Sequence, residues 1–577
     1  MFESARIARI QTLWELVEYR ARVSRGAPMF FDEDGRCLTF DEVRDEALRV
    51  AAGFREWGIG AGSRVAWQLP TRIGTVIASL ALARLGAVQT PIIHLHRERE
   101  VGFILAESAA EFVLVPGVWR GFDFTAMARK LAGDGVRVIS LEGGLPRADP
   151  GDQAGWPQPP ESPECEASAD PAGRPEPLAP LDHPETSESP EPPASPESLE
   201  SSESSESPRE VDSHRGSHRG ATTWIYYTSG TTSSPKGVEH TDAGLLAGGA
   251  GLATALGMSS QDIGSIAFPY AHIAGPDYVI AMLVSGFPAV VLETFEADRA
   301  AAVYRRRGVT MAGGSTAFYQ AFLDASRRYR QAQPQAGRLI PSLRLLSGGG
   351  APMPPELYEA AGRELECAIV HGYGMTECPM IAMGTPYDSD EQLSRTVGRP
   401  VAGVRVRIAR PDGSEAEPGE AGEVTLKGPM VFRGYTDPGL TAEAFDSEGF
   451  FHTGDLGLLR SDGHLVLTGR LKDIIIRKGE NISAQEIEDL VHTHPAVAEA
   501  AVIGLPDRER GERVCAVVTL ADPAGPPLTL TALTGHLRAA GLMTQKLPEQ
   551  LEIADELPRG GPLHKVLKAA LRERYTG

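Results

Sequence analysis

Residues 226–241 read YYTSGTTSSPKGVEHT, and from Thr228 to Gly237 the chain holds only Thr, Ser, Gly, Pro and one Lys. The β-branched and aromatic TTWIYY before this stretch predicts a strand. The following HTDAGLLAGGAGLATAL predicts a helix. A Gly/Ser/Thr loop between strand and helix, closed by Lys236, has the composition of a phosphate cradle. Backbone N–H groups and hydroxyls face the oxygens, and the lysine supplies positive charge. It is not the Walker pattern, because no Ser or Thr follows the Lys and the glycine spacing differs. The same composition also suits an ordinary surface loop, so the rest of the chain has to decide.

The chain has 577 residues. That length suits roughly three to four domain-sized units, or two larger ones. Its net charge of −21 is unevenly spread: residues 141–220 carry 18 acidic against 5 basic side chains and 16 of the 44 prolines. No basic stripe is present to track a nucleic-acid backbone. The five cysteines are scattered without C-x-x-C or a His cluster at metal spacing, which argues against a disulfide framework or structural zinc. The N-terminus, MFESARIARIQTLWELV, has charges throughout and no signal-peptide core. No apolar run approaches membrane-spanning length, and the expected location is cytoplasmic.

Residues 1–144 read as mixed α/β: TFDEVRDEALRVAAGFREWG has helical spacing closed by Gly58, while RVAWQL, EFVLVPG and VRVISL read as strands. Residues 145–219 are acidic, rich in Pro, Ser and Glu, and nearly free of large apolar side chains. Such a segment cannot offset its ordering entropy by burial, so a disordered insertion is expected there. From Ala221 the α/β alternation resumes. Around 400–470 it gives way to short strands and turns, and after GRLKD a compact α/β segment follows. The expected division is a large domain over 1–469 and a small one over 470–577.

Seven stretches fall in one order: YYTSGTTSSPKG, FPYAHIAG, SGGGAPMPPEL, HGYGMTE, FHTGDLG, GRLKDIIIRKGENISAQEIE and LPRGGPLHKVLKAALRE. Together they resemble the adenylate-forming superfamily of acyl-CoA synthetases, adenylation domains and luciferases. The resemblance implies a large N-terminal domain of α/β layers with a β-rich subdomain and a small mobile α/β C-terminal domain. It also implies a two-step reaction: a carboxylate attacks the α-phosphorus of ATP, giving an acyl-adenylate and pyrophosphate, and a thiol then displaces AMP. Two anions meet in the first step, so the site must neutralise charge and align groups.

By position, the resemblance places Thr228, Ser229, Gly230, Thr231, Thr232 and Lys236 around the β- and γ-phosphates, with Thr376 on phosphate and Glu377 holding Mg²⁺, a hard cation suited to carboxylate and phosphate oxygens. Gly348, Gly349, Gly350, Ala351, Pro352, Tyr373 and Gly374 frame the adenine, where backbone without side chains lets a flat base slide in. Asp455 takes the ribose hydroxyls and Arg470 approaches ribose and phosphate. Lys472 is the hinge residue. Lys478 and Gly479 face the large domain and the pantetheine tunnel, in a form closer to acyl-CoA synthetases than to peptide-synthetase adenylation domains.

Lys565 is the candidate catalytic lysine, with Lys568 as the competing assignment. Two departures stand out: Ser233 where the loop usually has Gly, and His564 where a small residue usually precedes the lysine. Neither removes a charged or phosphate-binding group. Tyr270, His272, Ile273, Ser315, Gly348 and Gly372 form the expected acyl pocket, with His272 beside the carboxylate. The stretch from Pro91 to Ala128 resembles medium-chain and cyclohexanecarboxylate CoA ligases, so the expected substrate is a hydrophobic monocarboxylic acid. ATP, Mg²⁺ and CoA are the expected cofactors and co-substrates, and neither nucleic acid nor an integral membrane contact is expected. The alternatives are an acyl-AMP ligase loading a separate carrier protein, a luciferase-like oxygenase and a non-catalytic adenylate binder; the oligomeric state stays open.

Overall fold

The computed structural model describes residues 9–151, 220–228, 235–335, 337–350, 353–477, 480–508, 510–560 and 565–576, together with Ile7 and Trp156. Among them a seven-stranded sheet runs Gly434–Tyr435, Lys236–His240, Trp224–Thr228, Val88–Pro91, Arg64–Trp67, Phe112–Val115, Arg137–Ser140. Its middle is parallel, and Phe112–Val115 within it is a continuous apolar run buried on both faces. The helix over Phe40–Glu56 starts at Thr39 in a capping box with Glu42, which satisfies two orphan N–H groups at once.

A second sheet places Met311–Gly314, Leu345–Gly349 and Ala368–Met375 in parallel, then adds Cys378–Met383 antiparallel. The helices Asp242–Ala255 and Ala274–Ser285 pack together within one large core. Gly249 permits that approach, since a Cβ there would meet Ile280 Cγ2 at 2.4 Å. A four-stranded antiparallel sheet over Arg405–Ala409, Gly422–Lys427, Phe451–Leu459 and Leu465–Arg470 forms the β-rich part. Beyond it, Ile474–Arg477, Glu480–Ser483, Val497–Asp507, Gly511–Leu520 and Gln550–Ile553 make a separate sheet with its own apolar cluster around Ile475, Ile487, Val502 and Leu533. None of the described helices is long and apolar enough to cross a membrane.

Two expectations change. The quoted loop does not lead straight into a helix: Lys236–His240 is a strand that pairs antiparallel with Trp224–Thr228, with Lys236 opposite Thr228. The helix begins only at Asp242, after Thr241 caps it by accepting from the Gly244 N–H. KGVEH is short and carries one large apolar residue, Val238, so its strand character comes from pairing across the sheet.

The second change is at the start of the acidic stretch. Residues 145–151 are ordered against the Phe40–Glu56 helix: Arg147 pairs with Glu46, and a Cβ at Gly53 would meet Pro146 at 2.8 Å. Trp156 is buried, at 5% exposure, with the Arg84 and Arg55 guanidiniums 4.8 and 5.2 Å from its ring. A charged group over an aromatic face adds to the burial of the ring itself. Residues 157–219 lie outside the described residues. Trp156→Ala is therefore expected to cost about 3–5 kcal/mol of stability, whereas a deletion of 157–215 that keeps Trp156 leaves the melting temperature nearly unchanged. Calorimetry on both variants checks this; a deletion as damaging as the substitution would contradict it.

Candidate functional site

Three polar groups meet where the second sheet faces the β-rich part. Asp455 is buried at 4% exposure. Its Oδ2 accepts from Tyr373 Oη at 2.5 Å, and its Oδ1 faces Arg470 Nε at 2.8 Å. Strand register explains the second contact, because Asp455 and Arg470 are direct antiparallel partners. Burial and the adjacent Asp455 carboxylate hold the Tyr373 phenol well above its usual range.

Glu377 lies at the turn between Ala368–Met375 and Cys378–Met383. It is 6% exposed. One carboxylate oxygen accepts from Tyr435 Oη at 2.9 Å, and Lys236 Nζ sits 4.8 Å from the same Tyr435 ring. Burial raises the Glu377 carboxyl, while Tyr435 and Lys236 pull it down. The neighbouring Thr376 carbonyl accepts from His240 Nε2 at 2.7 Å, which ties this turn to the strand that carries Lys236.

The C-terminal region supplies more positive charge to the same place. Burial and the nearby Arg470 and Lys472 lower the Lys565 ammonium to about 8, with Asp455 opposing them. Lys472 is likewise lowered, by burial and then Arg470, and it also feels Lys236. His272 is held down to about 4 by burial and by Lys565. Four cations from four elements therefore surround Asp455 and Glu377. Lys565 has no carboxylate within ion-pair distance among the described residues. Lys568, its competitor, is instead tied to Glu488 at 2.7 Å, with the two side chains 18% and 9% exposed.

Lys568→Met is thus expected to destabilise the protein by about 3–5 kcal/mol, since it strands a buried carboxylate. Its catalytic turnover at temperatures below melting should persist. Equal loss of turnover in Lys568→Met and a Lys565 variant would remove the distinction.

A cavity opens beside these groups. It is lined by Pro91, Ile93, His96, Ile104, Tyr226, Tyr227, Ala271, His272, Ile273 and Thr376. His272 and Ile273, expected in the acyl pocket, share this lining with Thr376, expected on phosphate. Tyr270 does not line it: its ring stacks on Trp67 at 5.8 Å and is 1% exposed, as part of the core. Ser315 caps the helix after Met311–Gly314, and Gly348 and Gly372 lie within Leu345–Gly349 and Ala368–Met375, outside this lining.

The glycines there have a packing reason. A Cβ on Gly348 would sit 2.5 Å from the Gly314 carbonyl oxygen, on Gly349 2.6 Å from that of Gly372, on Gly372 2.3 Å from Met383 Sδ, and on Gly374 2.1 Å from the Pro379 oxygen. Neighbouring protein atoms lie where those Cβ atoms would be, so the packing of the sheet itself also requires glycine there. Gly350 adopts φ +81°, which favours glycine. Ser229, Gly230, Thr231, Thr232, Ser233, Ala351, Pro352, Lys478, Gly479 and His564 lie outside the described residues. The sequence reading missed Tyr226, Tyr227, Ala271 and the Pro91–Ile104 side; the two tyrosines at the strand end before the glycine loop were the available signal.

The AMP-binding enzyme family model matches residues 17–436, and that of the AMP-binding enzyme C-terminal domain matches 486–561. A salicyl-AMP ligase / salicyl-S-ArCP synthetase from Mycobacterium tuberculosis is 31% identical over 92% of this chain and 85% of its own length. A medium-chain fatty-acid–CoA ligase from Escherichia coli is 28% identical over 98% and 93%. Among solved structures, o-succinylbenzoate coenzyme A synthetase from Bacillus subtilis in complex with ATP and magnesium ion superposes with a TM-score of 0.75 at 26% identity, covering 96% of this chain and 98% of that one. The chain belongs to the AMP-binding enzyme family, with the adenylate-forming fold.

Proposed function

We propose that the protein uses ATP to activate a hydrophobic monocarboxylic acid as its acyl-adenylate and then transfers the acyl group to CoA, releasing AMP. The observation that carries this reading is the convergence of Lys236, Arg470, Lys472 and Lys565 on Asp455 and Glu377, beside a cavity whose lining includes His272 and Thr376. A polyphosphate and a carboxylate repel each other, and a fixed cluster of cations removes that barrier without reorganising at the moment of reaction.

In this reading Lys565 neutralises the carboxylate and the α-phosphate as they approach, and Arg470 and Asp455 orient the ribose. Lys236 faces the outer phosphates. Tyr373 holds Asp455 in place. His272, kept neutral near pH 7, borders the carboxylate without adding charge. Lys472 serves as the point about which the C-terminal part turns between the two steps.

The residues suit Mg²⁺ in one specific way. No group of three or more His, Cys, Asp or Glu side chains that could hold a metal occurs among the described residues. Glu377 offers a single carboxylate with one protein donor, which matches an ion held mainly by phosphate oxygens and water. Such an ion supplies charge neutralisation on the phosphates.

Transfer to a carrier protein instead of CoA is the second reading, favoured by the 31% identical relative named as a salicyl-S-ArCP synthetase. Carboxylate-dependent ATP–pyrophosphate exchange over a panel of acids, followed by AMP release with and without CoA, tests both. Exchange with CoA-dependent turnover supports the first, and exchange indifferent to CoA supports the second. No exchange with any acid sinks the activation reading.

A further inference from the structure

Glu107 is the last residue of the helix Glu98–Glu107. A negative side chain there faces the negative end of the helix dipole, which lowers local stability. The helix itself therefore gives no reason for an acid at this position, and the reason lies across the fold. One Glu107 carboxyl oxygen accepts from Tyr227 Oη, 120 residues away, and the other accepts from Thr436 Oγ1, 329 residues away. The Phe103 ring, one turn earlier on the same helix, meets Tyr227 edge to face at 6.4 Å.

Both hydroxyl donors adjoin the site. Tyr227 precedes Thr228 and pairs across the strands with Gly237, as Thr228 does with Lys236. The Thr436 N–H donates to the Gly237 carbonyl at 2.9 Å. Thr436 follows Tyr435, whose ring lies 4.8 Å from Lys236 Nζ and whose hydroxyl donates to Glu377 at 2.9 Å. The packing is close: a Cβ on Gly237 would come within 2.6 Å of Thr436 Oγ1 and 3.1 Å of Glu107 Oε2. A single carboxyl group thus ties together the residues next to Thr228, Lys236 and Tyr435.

We propose that Glu107 is a positioning residue: through Tyr227 and Thr436 it holds Lys236 and Tyr435 in place beside Glu377, so that Lys236 meets the outer phosphates of ATP without reorganising. This rests on the acid-activation reading above, in which Lys236 faces those phosphates. Glu107 touches no substrate in this role. A charged group stabilises a polyphosphate most when its support is fixed in advance, and a misplacement of about 1 Å costs up to about 100-fold. The effect is confined to the outer phosphates, since the ribose is assigned to Asp455 and Arg470.

The test uses the full chain with Mg²⁺. Calorimetric titration without acid measures the affinities for ATP and for AMP, which lacks the outer phosphates. Pyrophosphate exchange over a panel of acids gives the KM for ATP and for the acid. Glu107→Gln replaces one acceptor oxygen by a donor, and Thr436→Val removes one hydroxyl at nearly constant shape. Each should weaken ATP binding by about 10–100-fold and leave AMP binding nearly unchanged. The KM for ATP should rise with it while that for the acid holds. Thr436→Ser, which keeps the hydroxyl, should retain the ATP affinity. Thr436→Val stands in if Glu107→Gln does not fold.

An unchanged ratio of ATP to AMP affinity in both variants, in a protein that exchanges pyrophosphate, overturns the positioning role and leaves activation standing. So does a loss of ATP and AMP binding alike, which is what a merely structural tie gives, and so does an ATP affinity that Thr436→Ser fails to keep. A selective loss of ATP binding in a protein that exchanges with no acid supports the positioning role and sinks the activation reading. An unchanged ratio with no exchange overturns both.

Discussion

Lys565→Ala is expected to lower carboxylate-dependent pyrophosphate exchange by about 10²–10³-fold, the loss typical of deleting one preorganised group that meets charge developing in the transition state. The fold should survive, because Lys565 makes no ion pair among the described residues. Unchanged calorimetric melting with lost exchange is the predicted pattern. Normal exchange in the variant would remove Lys565 from the reaction. The pH profile gives an independent check. The ammonium is lowered to about 8 in the free protein, and only the charged form neutralises the reacting anions. The rate constant kcat/KM, which reports the free enzyme, should therefore fall as pH rises through about 8. Lys565→Arg should move that limb to higher pH, since a guanidinium stays charged.

Asp455→Ala should raise the ATP concentration needed for half-maximal exchange and lower kcat/KM for ATP by about 10–150-fold, the equivalent of a charged hydrogen bond worth about 1.5–3 kcal/mol. The substitution removes at once the acceptor of Tyr373 Oη and the partner of Arg470 Nε. Arg470, at 43% side-chain exposure, can turn to water, so the stability loss is expected to be smaller than the loss of ATP use. An ATP titration of exchange, run beside a thermal melt, separates the two. An unaltered ATP dependence would place the nucleotide elsewhere.

The helices and buried strands were legible because their patterns are local. Thr39 followed by Glu42 announces a helix start, and FVLV announces a strand buried on both faces. The order of the seven motifs singled out Glu377, Asp455, Arg470 and Lys565 as candidates, and the structure brings these charged groups near one another. Glycine carried a second meaning. A run such as SGGG looks like room for a ligand, yet a Cβ at Gly348, Gly349, Gly372 or Gly374 would also clash with backbone and side chains of the same sheet. A sequence shows that a side chain is missing and not what occupies its place.

The KGVEH strand was missed because its conformation depends on a partner strand. Trp156 was missed because an acidic, proline-rich composition predicts no burial, while two arginines from the Phe40–Glu56 and Ile73–Leu85 helices provide it.

The amino-acid sequence by itself determined the α/β class, the family resemblance and the cast of charged residues, since these follow from local spacing and residue chemistry. Only the tertiary structure showed that Lys568 is tied to a buried carboxylate, because that depends on Glu488, some eighty residues away, reaching it. It also decided that Tyr270 belongs to the core and Tyr226 to the cavity. Only the fold left Asp277 Oδ1 without a hydrogen-bond partner among the described residues while giving the Asp242 carboxylate three. Burial and hydrogen-bond satisfaction are properties of contacts between distant segments, and no reading of adjacent residues contains them.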